Sequence, residues 1–111
     1  MCSTIIGVGC DIVEIARLKA NMDAIANKVL TQNELSLFNS YNNHKRLEYL
    51  AGRFAGKEAI IKALNNNSLL SDIEILNDDS GKPYVSNINA NVLISLAHEK
   101  NYAIAYAMVL K

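Results

Sequence analysis

The stretch RFAGKEAIIKAL, residues 53–64, decides the fold, because it completes a long helix that we predict from about Lys45 to Leu64. At about 3.6 residues per turn, Glu58 falls inside an apolar stripe of this helix, one turn beyond Phe54. Burying an ionised carboxylate without a partner costs several kcal/mol, so this position calls for a cation or a ligand. The apolar members of the stripe are Leu47, Leu50, Ala51, Phe54 and Ile61.

A plainer interpretation of Glu58 is a surface ion pair on the same helix. Lys62 stands four residues further on, and Lys57 and Lys62 both edge the stripe. An exposed pair at this spacing is worth only about 0.3–0.5 kcal/mol, far less than the burial of a lone carboxylate costs. Both interpretations of Glu58 remain open on the residues alone.

A second carboxylate lies in the segment GVGCDIVEI. Residues Thr4–Ile12 are β-branched and apolar on both alternating sets, which predicts a strand buried on both sides. Asp11 stands at its end, on the same side as Gly7 and Gly9, which leave room for something to approach the backbone. Asp11-Ile-Val-Glu14 also has the form of a capping box, so Asp11 could serve only to start the helix that follows.

Taken together, these features resemble a site for a hard cation. Two glycines and a carboxylate share one side of a strand, and a second carboxylate lies within a helix stripe. Magnesium fits this chemistry, because it is typically held by one or two carboxylates and takes its remaining ligands from water and substrate phosphates. The pattern therefore makes Asp11 and Glu58 candidate magnesium ligands.

The rest of the chain predicts one short helix and four short strands. Thr31-Gln-Asn-Glu34 has the form of a capping box, so a helix begins there. No linker or repeat divides the sequence, and we expect a single domain over residues 1–111. The predicted strands are 71–76 and 82–85, joined by the turn at 77–81, and the hairpin of 91–98 and 102–110.

The last predicted strand is apolar on both faces. Tyr102, Ile104, Tyr106 and Met108 point one way, and the small residues between them point the other. One face can pack on the helices, but the other also needs cover. Either another copy of the chain provides it, or a loop covers the small alanine face.

Composition excludes several classes of function. Eleven basic and eleven acidic residues cancel, so no global field attracts nucleic acid or an anionic membrane. We find no signal peptide and no segment of membrane-spanning length. Cys2 and Cys10 lack zinc-type spacing, which favours a reduced pair and a cytoplasmic protein.

Two motifs carry a resemblance to a known family. GVGCDIVEIARL (7–18) and RFAGKEAIIKAL (53–64) together closely resemble the holo-acyl-carrier-protein synthases, the small stand-alone class of 4'-phosphopantetheinyl transferases. The likeness continues in DIEI (72–75), GKPY (81–84) and ISLAHE (94–99), in the family's order and spacing. It implies an α+β fold with a small antiparallel sheet packed on a long helix. It also implies a homotrimer whose active sites lie between subunits.

The resemblance further implies a reaction and roles for single residues. The phosphopantetheine arm of coenzyme A would move to a serine hydroxyl of acyl carrier protein, with release of 3',5'-ADP, in support of fatty acid biosynthesis. Asp11 and Glu58 match the family's magnesium ligands, and Lys62 matches its active-site lysine near the pyrophosphate. These three are the predicted catalytic residues. Arg17 matches a residue of the first helix that meets the acidic carrier protein.

Coenzyme A contacts are implied for Arg46, Arg53, Lys62 and His98. In the family, basic residues along the long helix meet the nucleotide end of coenzyme A, including its 3'-phosphate. His44 and Lys45 belong to the same cluster, and a solvated helix face is the alternative for Lys45 and Arg46. The family's S-x-S/T-H motif ends at His98.

This chain departs from the family pattern at two places. Ala97 replaces the usual Ser or Thr, and residues 65–68 replace a loop that is commonly rich in glycine. Both changes are expected to alter contacts with coenzyme A. Two other functions stay open beside the transferase: a coenzyme A or nucleotide-binding module without turnover, and a structural trimer in which both carboxylates only cap and pair.

Overall fold

The computed structural model describes residues 4–111. A 3₁₀ turn at Leu70–Asp72 follows the longest helix. In chain order, the helices and strands are β1 (Ile5–Glu14), α1 (Ala16–Lys19), α2 (Met22–Val29), α3 (Gln32–Ser40), α4 (Asn43–Leu64), β2 (Ile75–Asn77), β3 (Pro83–Val85), β4 (Asn91–His98) and β5 (Tyr102–Leu110).

The long helix α4 packs against a three-stranded antiparallel sheet with the strand order β1-β5-β4. β2 and β3 form a separate antiparallel hairpin, and β3 lies beside β4. The apolar core surrounds α4: the sheet face that meets this helix supplies one part of it, and buried residues of α1, α2, α3 and β2 supply most of the rest. The predicted α+β architecture, a small antiparallel sheet on a long helix, is confirmed.

Gly7 and Gly9 allow the backbone of α4 to reach β1. A Cβ atom added at Gly7 would lie 2.0 Å from the Ala63 carbonyl oxygen, and one added at Gly9 would lie 2.1 Å from the Ala59 carbonyl oxygen. No side chain fits in that space, so the group that approaches these glycines is the helix itself. Asp11 is the next residue on the same face of β1, because side chains alternate along a strand. The glycines thus bring the Asp11 carboxylate against α4.

The last strand resolves the question of its two faces. Ala103, Ala105 and Ala107 of β5 are buried in the core with α4, so a helix covers the alanine face and the loop alternative is wrong. The opposite face of the sheet, called here the outer sheet face, carries large apolar side chains that are exposed. These are Val8, Ile12, Leu93, Tyr102, Ile104 and Tyr106.

The predicted helix and strand limits agree with the structure in several places. The capping box of Thr31 and Glu34 is present, and β4 and β5 have the predicted bounds. α4 begins earlier than predicted, since the Asn42 side chain accepts a hydrogen bond from the Lys45 amide at 2.9 Å. The strand predicted from residue 71 begins only at Ile75.

Two further findings concern membrane-spanning helices and the cysteines. Within residues 4–111, no helix is both long enough and apolar enough to cross a membrane. Cys10 is a free, exposed thiol. Cys2, the other half of the predicted reduced pair, lies outside the described residues.

Candidate active site

Asp11 and Glu58 line one cavity of about 380 Å³. β1 supplies Asp11 and α4 supplies Glu58, so the packing of these two elements brings the two predicted metal ligands together. Arg17 of the first helix lines the same cavity. We call this space the carboxylate cavity, and its lining residues are Asp11, Ile12, Val13, Glu14, Arg17, Leu18, Phe54 and Glu58.

Lys62 binds Asp11 rather than Glu58. The Lys62 ammonium donates to Asp11 Oδ1 at 3.2 Å and to the Cys10 carbonyl oxygen at 3.0 Å. Within residues 4–111, Glu58 takes part in no ion pair and no side-chain hydrogen bond. The interpretation of Glu58 as half of a surface pair with Lys62 is therefore wrong.

Asp11 does not cap a helix. β1 continues past it to Glu14, and Asp11 pairs with Ala105 in the ladder to β5. α1 begins after Ile15, which makes no side-chain capping bond. The capping alternative for Asp11 is wrong, and its carboxylate remains available to a ligand beside Lys62.

The fully buried charge on α4 is Lys57, not Glu58. Lys57 was expected to edge the stripe, yet its ammonium is enclosed and donates to Glu34 Oε1 and to the Val29 carbonyl oxygen, each at 2.6 Å. Glu34 is also buried, and its other oxygen accepts the Ile75 amide at 2.8 Å. Burial lowers the pKa of Lys57, and Glu34 opposes that shift. Glu58, by contrast, is only half-buried.

The carboxylate cavity suits a hard divalent cation. Three carboxylates line it, those of Asp11 and Glu14 from β1 and that of Glu58 from α4; Lys62 pairs with Asp11, and the Arg17 Nε lies 4.0 Å from Glu14 Oε1. Residues 4–111 contain no group of three or more His, Cys, Asp or Glu side chains placed to hold a metal. A pair of carboxylates with the remaining positions open is what magnesium accepts when substrate phosphates and water complete its shell. The donor set therefore fits the predicted ion.

A second cavity, of about 270 Å³, lies along the first half of α4 and is called here the basic cavity. Lys45, Arg53 and His98 line it, and Glu48 is an acidic residue there that the sequence did not point to. Ala97, which replaces a hydroxyl residue of the family pattern, also lines it. The structure thus gathers two predicted coenzyme A residues, Arg53 and His98, in one place.

Arg53 is held firmly on its side of the basic cavity. Its Nε donates to the Ile75 carbonyl oxygen at 3.2 Å, and its Nη2 donates to Asn77 Oδ1 at 2.7 Å. The guanidinium also lies over the Tyr49 ring, 4.4 Å from its centroid. Burial raises the pKa of Tyr49 to about 12, so its hydroxyl stays neutral.

Arg46 and Arg17 lie elsewhere. Arg46 does not line the basic cavity; its Nε donates to the Phe38 carbonyl oxygen at 3.0 Å and its Nη2 to that of Asn39 at 2.8 Å. It therefore caps the end of α3. The Arg17 side chain is 79% exposed, and its Nε lies 4.0 Å from Glu14 Oε1.

Comparison with known proteins identifies the family. The model of the 4'-phosphopantetheinyl transferase superfamily matches residues 7–107. The holo-[acyl-carrier-protein] synthase of Halalkalibacterium halodurans is 40% identical over 113 residues, which cover 95% of each chain. The synthase of Mycoplasma capricolum is 46% identical over 104 residues, 91% of each chain.

Solved structures agree with this match. The crystal structure of a holo-(acyl-carrier-protein) synthase from Bacillus anthracis, in complex with CoA (3',5'-ADP), superposes with a TM-score of 0.90 at 33% identity and covers 98% of each chain. The chain belongs to the 4'-phosphopantetheinyl transferase superfamily. Within it, the relatives place the chain among the holo-[acyl-carrier-protein] synthases, which confirms the predicted family.

Proposed function

We propose that this chain transfers the 4'-phosphopantetheine group of coenzyme A to a serine hydroxyl of acyl carrier protein, in support of fatty acid biosynthesis. The serine hydroxyl gives up its proton to water and its oxygen forms a bond to the β-phosphorus, while the bond from that phosphorus to the bridging oxygen breaks and 3',5'-ADP is released. The observation that carries the proposal is the carboxylate cavity, which Asp11 and Glu58 both line and beside which Lys62 donates to Asp11.

Asp11 and Glu58 would hold a magnesium ion in this cavity. A magnesium ion bound there would supply positive charge against the negative charge that develops on the pyrophosphate. Lys62 adds a positive charge beside Asp11, which favours the departing α-phosphate. Phe54 and Leu18 line the same cavity, and their apolar surface limits the access of water.

The basic cavity would take the nucleotide end of coenzyme A. Lys45, Arg53 and His98 supply positive groups there, and Arg53 is preorganised by its bonds to Ile75 and Asn77. The contact expected for Arg46 stays a prediction, and it requires the guanidinium to leave the carbonyl oxygens at the end of α3.

The carrier protein would dock beside the first helix. Arg17 is well exposed and also lines the carboxylate cavity, so an acidic partner bound there brings its serine next to Asp11 and Glu58. Attraction between opposite charges mainly raises the rate of encounter and sets the orientation of the partner. Arg17 is therefore proposed as a contact to acyl carrier protein.

The assembly would be a homotrimer with active sites between subunits. The outer sheet face exposes large apolar side chains on all three strands, and such a surface favours association. Sedimentation velocity should give a trimer, and Ile104→Lys, at the middle of that face, should give monomers. A wild-type protein that sediments as a monomer at every concentration would contradict the assembly.

We also propose that all 111 residues form one functional domain and that the protein works in the cytoplasm. The helix and sheet elements of residues 4–111 share one apolar core, which supports the first point. The free Cys10 thiol is compatible with a reducing compartment, which supports the second. Cell fractionation of a tagged protein checks the location.

One assay tests the function directly. The protein is incubated with apo acyl carrier protein, coenzyme A and magnesium, and the carrier is weighed by mass spectrometry. We expect a phosphopantetheine adduct on the carrier that disappears when a chelator is added.

A second candidate function is a coenzyme A-binding module without turnover. Ala97 in the basic cavity and the asparagine-rich loop at 65–67 favour it, because both depart from the family pattern. Coenzyme A binding measured by calorimetry, with no adduct in the assay above, would support this module and contradict the transferase.

A further inference from the structure

Glu48 stands out in the basic cavity because its charge has the wrong sign for a phosphate site. Among the described residues that line this cavity it is the only acid, beside Lys45, Arg53 and His98. A carboxylate close to a phosphate repels it, and the repulsion grows where water is partly excluded. A role for Glu48 must therefore come from its contact with a neighbouring side chain.

That neighbour is His98. Glu48 Oε2 lies 3.6 Å from His98 Nδ1, and the Glu48 and His98 side chains are 30% and 50% exposed. The strand directs His98 toward α4, because the residues at alternate positions before it, Ile94 and Leu96, pack into the core. The contact thus joins the end of β4 to the first half of α4.

The contact points to the ring nitrogen that is free. Glu48 faces Nδ1 at an ion-pair distance longer than a hydrogen bond, and a carboxylate on that side favours a proton on Nδ1, since the partner of one imidazole nitrogen influences the state of the other. Nε2 of His98 is then the nitrogen available to a ligand in the basic cavity. His44 Nε2 lies 3.5 Å from the same Glu48 oxygen, but the His44 side chain is 85% exposed, so water weakens that contact.

We propose that Glu48 is a positioning residue: it orients the His98 ring so that, in the doubly protonated ring, Nε2–H donates to a phosphate of coenzyme A. The proposal rests on the proposed function, which supplies that phosphate. It goes against the simple expectation from charge. Taking an acid out of a phosphate site should by itself improve binding, whereas loss of the positioning contact should impair it.

The test is the steady-state kinetics of Glu48→Gln, with saturating apo carrier protein. We expect the KM for coenzyme A to rise about fivefold while kcat changes less than about twofold, because the contact concerns binding of the nucleotide end. A fall in that KM would mean that Glu48 acts only as a repelling charge, and would overturn the proposal.

Glu99→Gln is the matched control. It removes the same charge one residue after His98, and Glu99 does not line the basic cavity. Its carboxylate accepts backbone amides of Asn101 and Tyr102, which a glutamine oxygen can also do. The KM for coenzyme A should not rise in this variant. If the KM rises as much as in Glu48→Gln, the cause in both variants is the loss of a negative charge near His98, and the proposal is overturned.

A double-mutant cycle shows whether Glu48 acts through His98. In a His98→Ala background, Glu48→Gln should cause no further rise in the KM for coenzyme A. An equal rise in both backgrounds would place Glu48 on the substrate itself and overturn the positioning role.

Nitrogen NMR of the His98 ring gives a readout that does not depend on turnover. At a pH where the ring is neutral, the wild-type protein should carry the proton on Nδ1, and Glu48→Ala should shift it toward Nε2. A wild-type ring already protonated on Nε2 would overturn the proposal. If the wild-type protein forms no carrier adduct but the Nδ1 proton is found, the proposed function fails and the contact between the two residues stands.

Discussion

Two adjacent residues of α4, Lys57 and Glu58, carry opposite charges and lie in opposite situations. Lys57 is fully buried and donates to Glu34 and to the Val29 carbonyl oxygen. Glu58 is half-buried beside the carboxylate cavity, and within residues 4–111 no cation pairs with it. An ion pair buried within the protein contributes to the fold, whereas a carboxylate beside a cavity with no cation paired to it is available to bind a ligand.

The two surroundings differ in how far their charges are balanced. Around Lys57 one ammonium meets one carboxylate, and the remaining oxygen of Glu34 accepts the Ile75 amide, so the network is closed. Around Glu58, three carboxylates face two cations. These are Asp11, Glu14 and Glu58 on one side, and Arg17 and Lys62 on the other.

The largest effect is expected from breaking the closed network. Lys57→Met should lower the free energy of unfolding by about 3–5 kcal/mol, because it leaves Glu34 buried without its cation. Chemical denaturation measures this loss. Lys57→Met combined with Glu34→Gln should recover part of it, since no charge then stays buried. A loss below about 1 kcal/mol for the single variant would show that the pair is not closed to water.

At Glu58, with which no cation pairs within residues 4–111, a substitution should affect activity rather than stability. Glu58→Gln should reduce transfer to the carrier about 100-fold or more, because it removes a proposed metal ligand, and should leave the free energy of unfolding nearly unchanged. Turnover and denaturation of the same preparation check both parts. Glu99→Gln, an exposed acid outside the cavity, serves as the control. If Glu58→Gln keeps full activity, the cavity does not house the chemistry.

Part of this comparison could be predicted from the sequence. Gly7, Gly9 and Asp11 share one face of a strand, which predicts open space beside a carboxylate; the structure shows that α4 fills the space at the glycines. Glu58 stands out because it interrupts an apolar stripe. The alternation of side chains along a strand and the repeat of a helix depend only on neighbours in the chain, so they can be applied to the sequence alone.

The rest depends on contacts that no local pattern reveals. α4 packs on the sheet along one side and on α2, α3 and the 3₁₀ turn along others, so it is buried around most of its circumference. A single stripe therefore could not tell that Lys57 is enclosed and Glu58 half-exposed. The Glu48 contact was missed for the same reason, since its partner His98 comes from a distant strand.

A smaller effect on carrier-protein binding should follow from reversing the charge of Arg17, the exposed residue that lines the carboxylate cavity. Arg17→Glu should raise the KM for carrier protein about tenfold and leave the KM for coenzyme A unchanged, because steering of an acidic partner is lost. Added salt should shrink the difference between the two proteins. Lys28→Glu, the same reversal on α2, controls for net charge. Equal losses for both substrates would remove Arg17 from the docking surface.

The smallest effect is expected on magnesium affinity when Lys62 is replaced. Lys62 neutralises part of the negative charge at the carboxylate cavity. Its ammonium pairs with Asp11, so it competes with a cation for one of the two proposed metal ligands. Lys62→Met should therefore tighten magnesium binding to the substrate-free protein about two- to fivefold, the size expected of an exposed ion pair. Calorimetry measures that affinity, while turnover should fall because the charge beside the departing phosphate is lost.

The two readouts of Lys62→Met separate a competitor from a ligand of the site. If Lys62 only shielded Asp11, its removal would tighten magnesium binding and raise turnover together. If Lys62 supported the Asp11 carboxylate in its position, its removal would weaken magnesium binding. We propose that Lys62 releases Asp11 when the cation binds and then interacts with the departing phosphate. Only tighter magnesium binding together with slower transfer in Lys62→Met fits both roles.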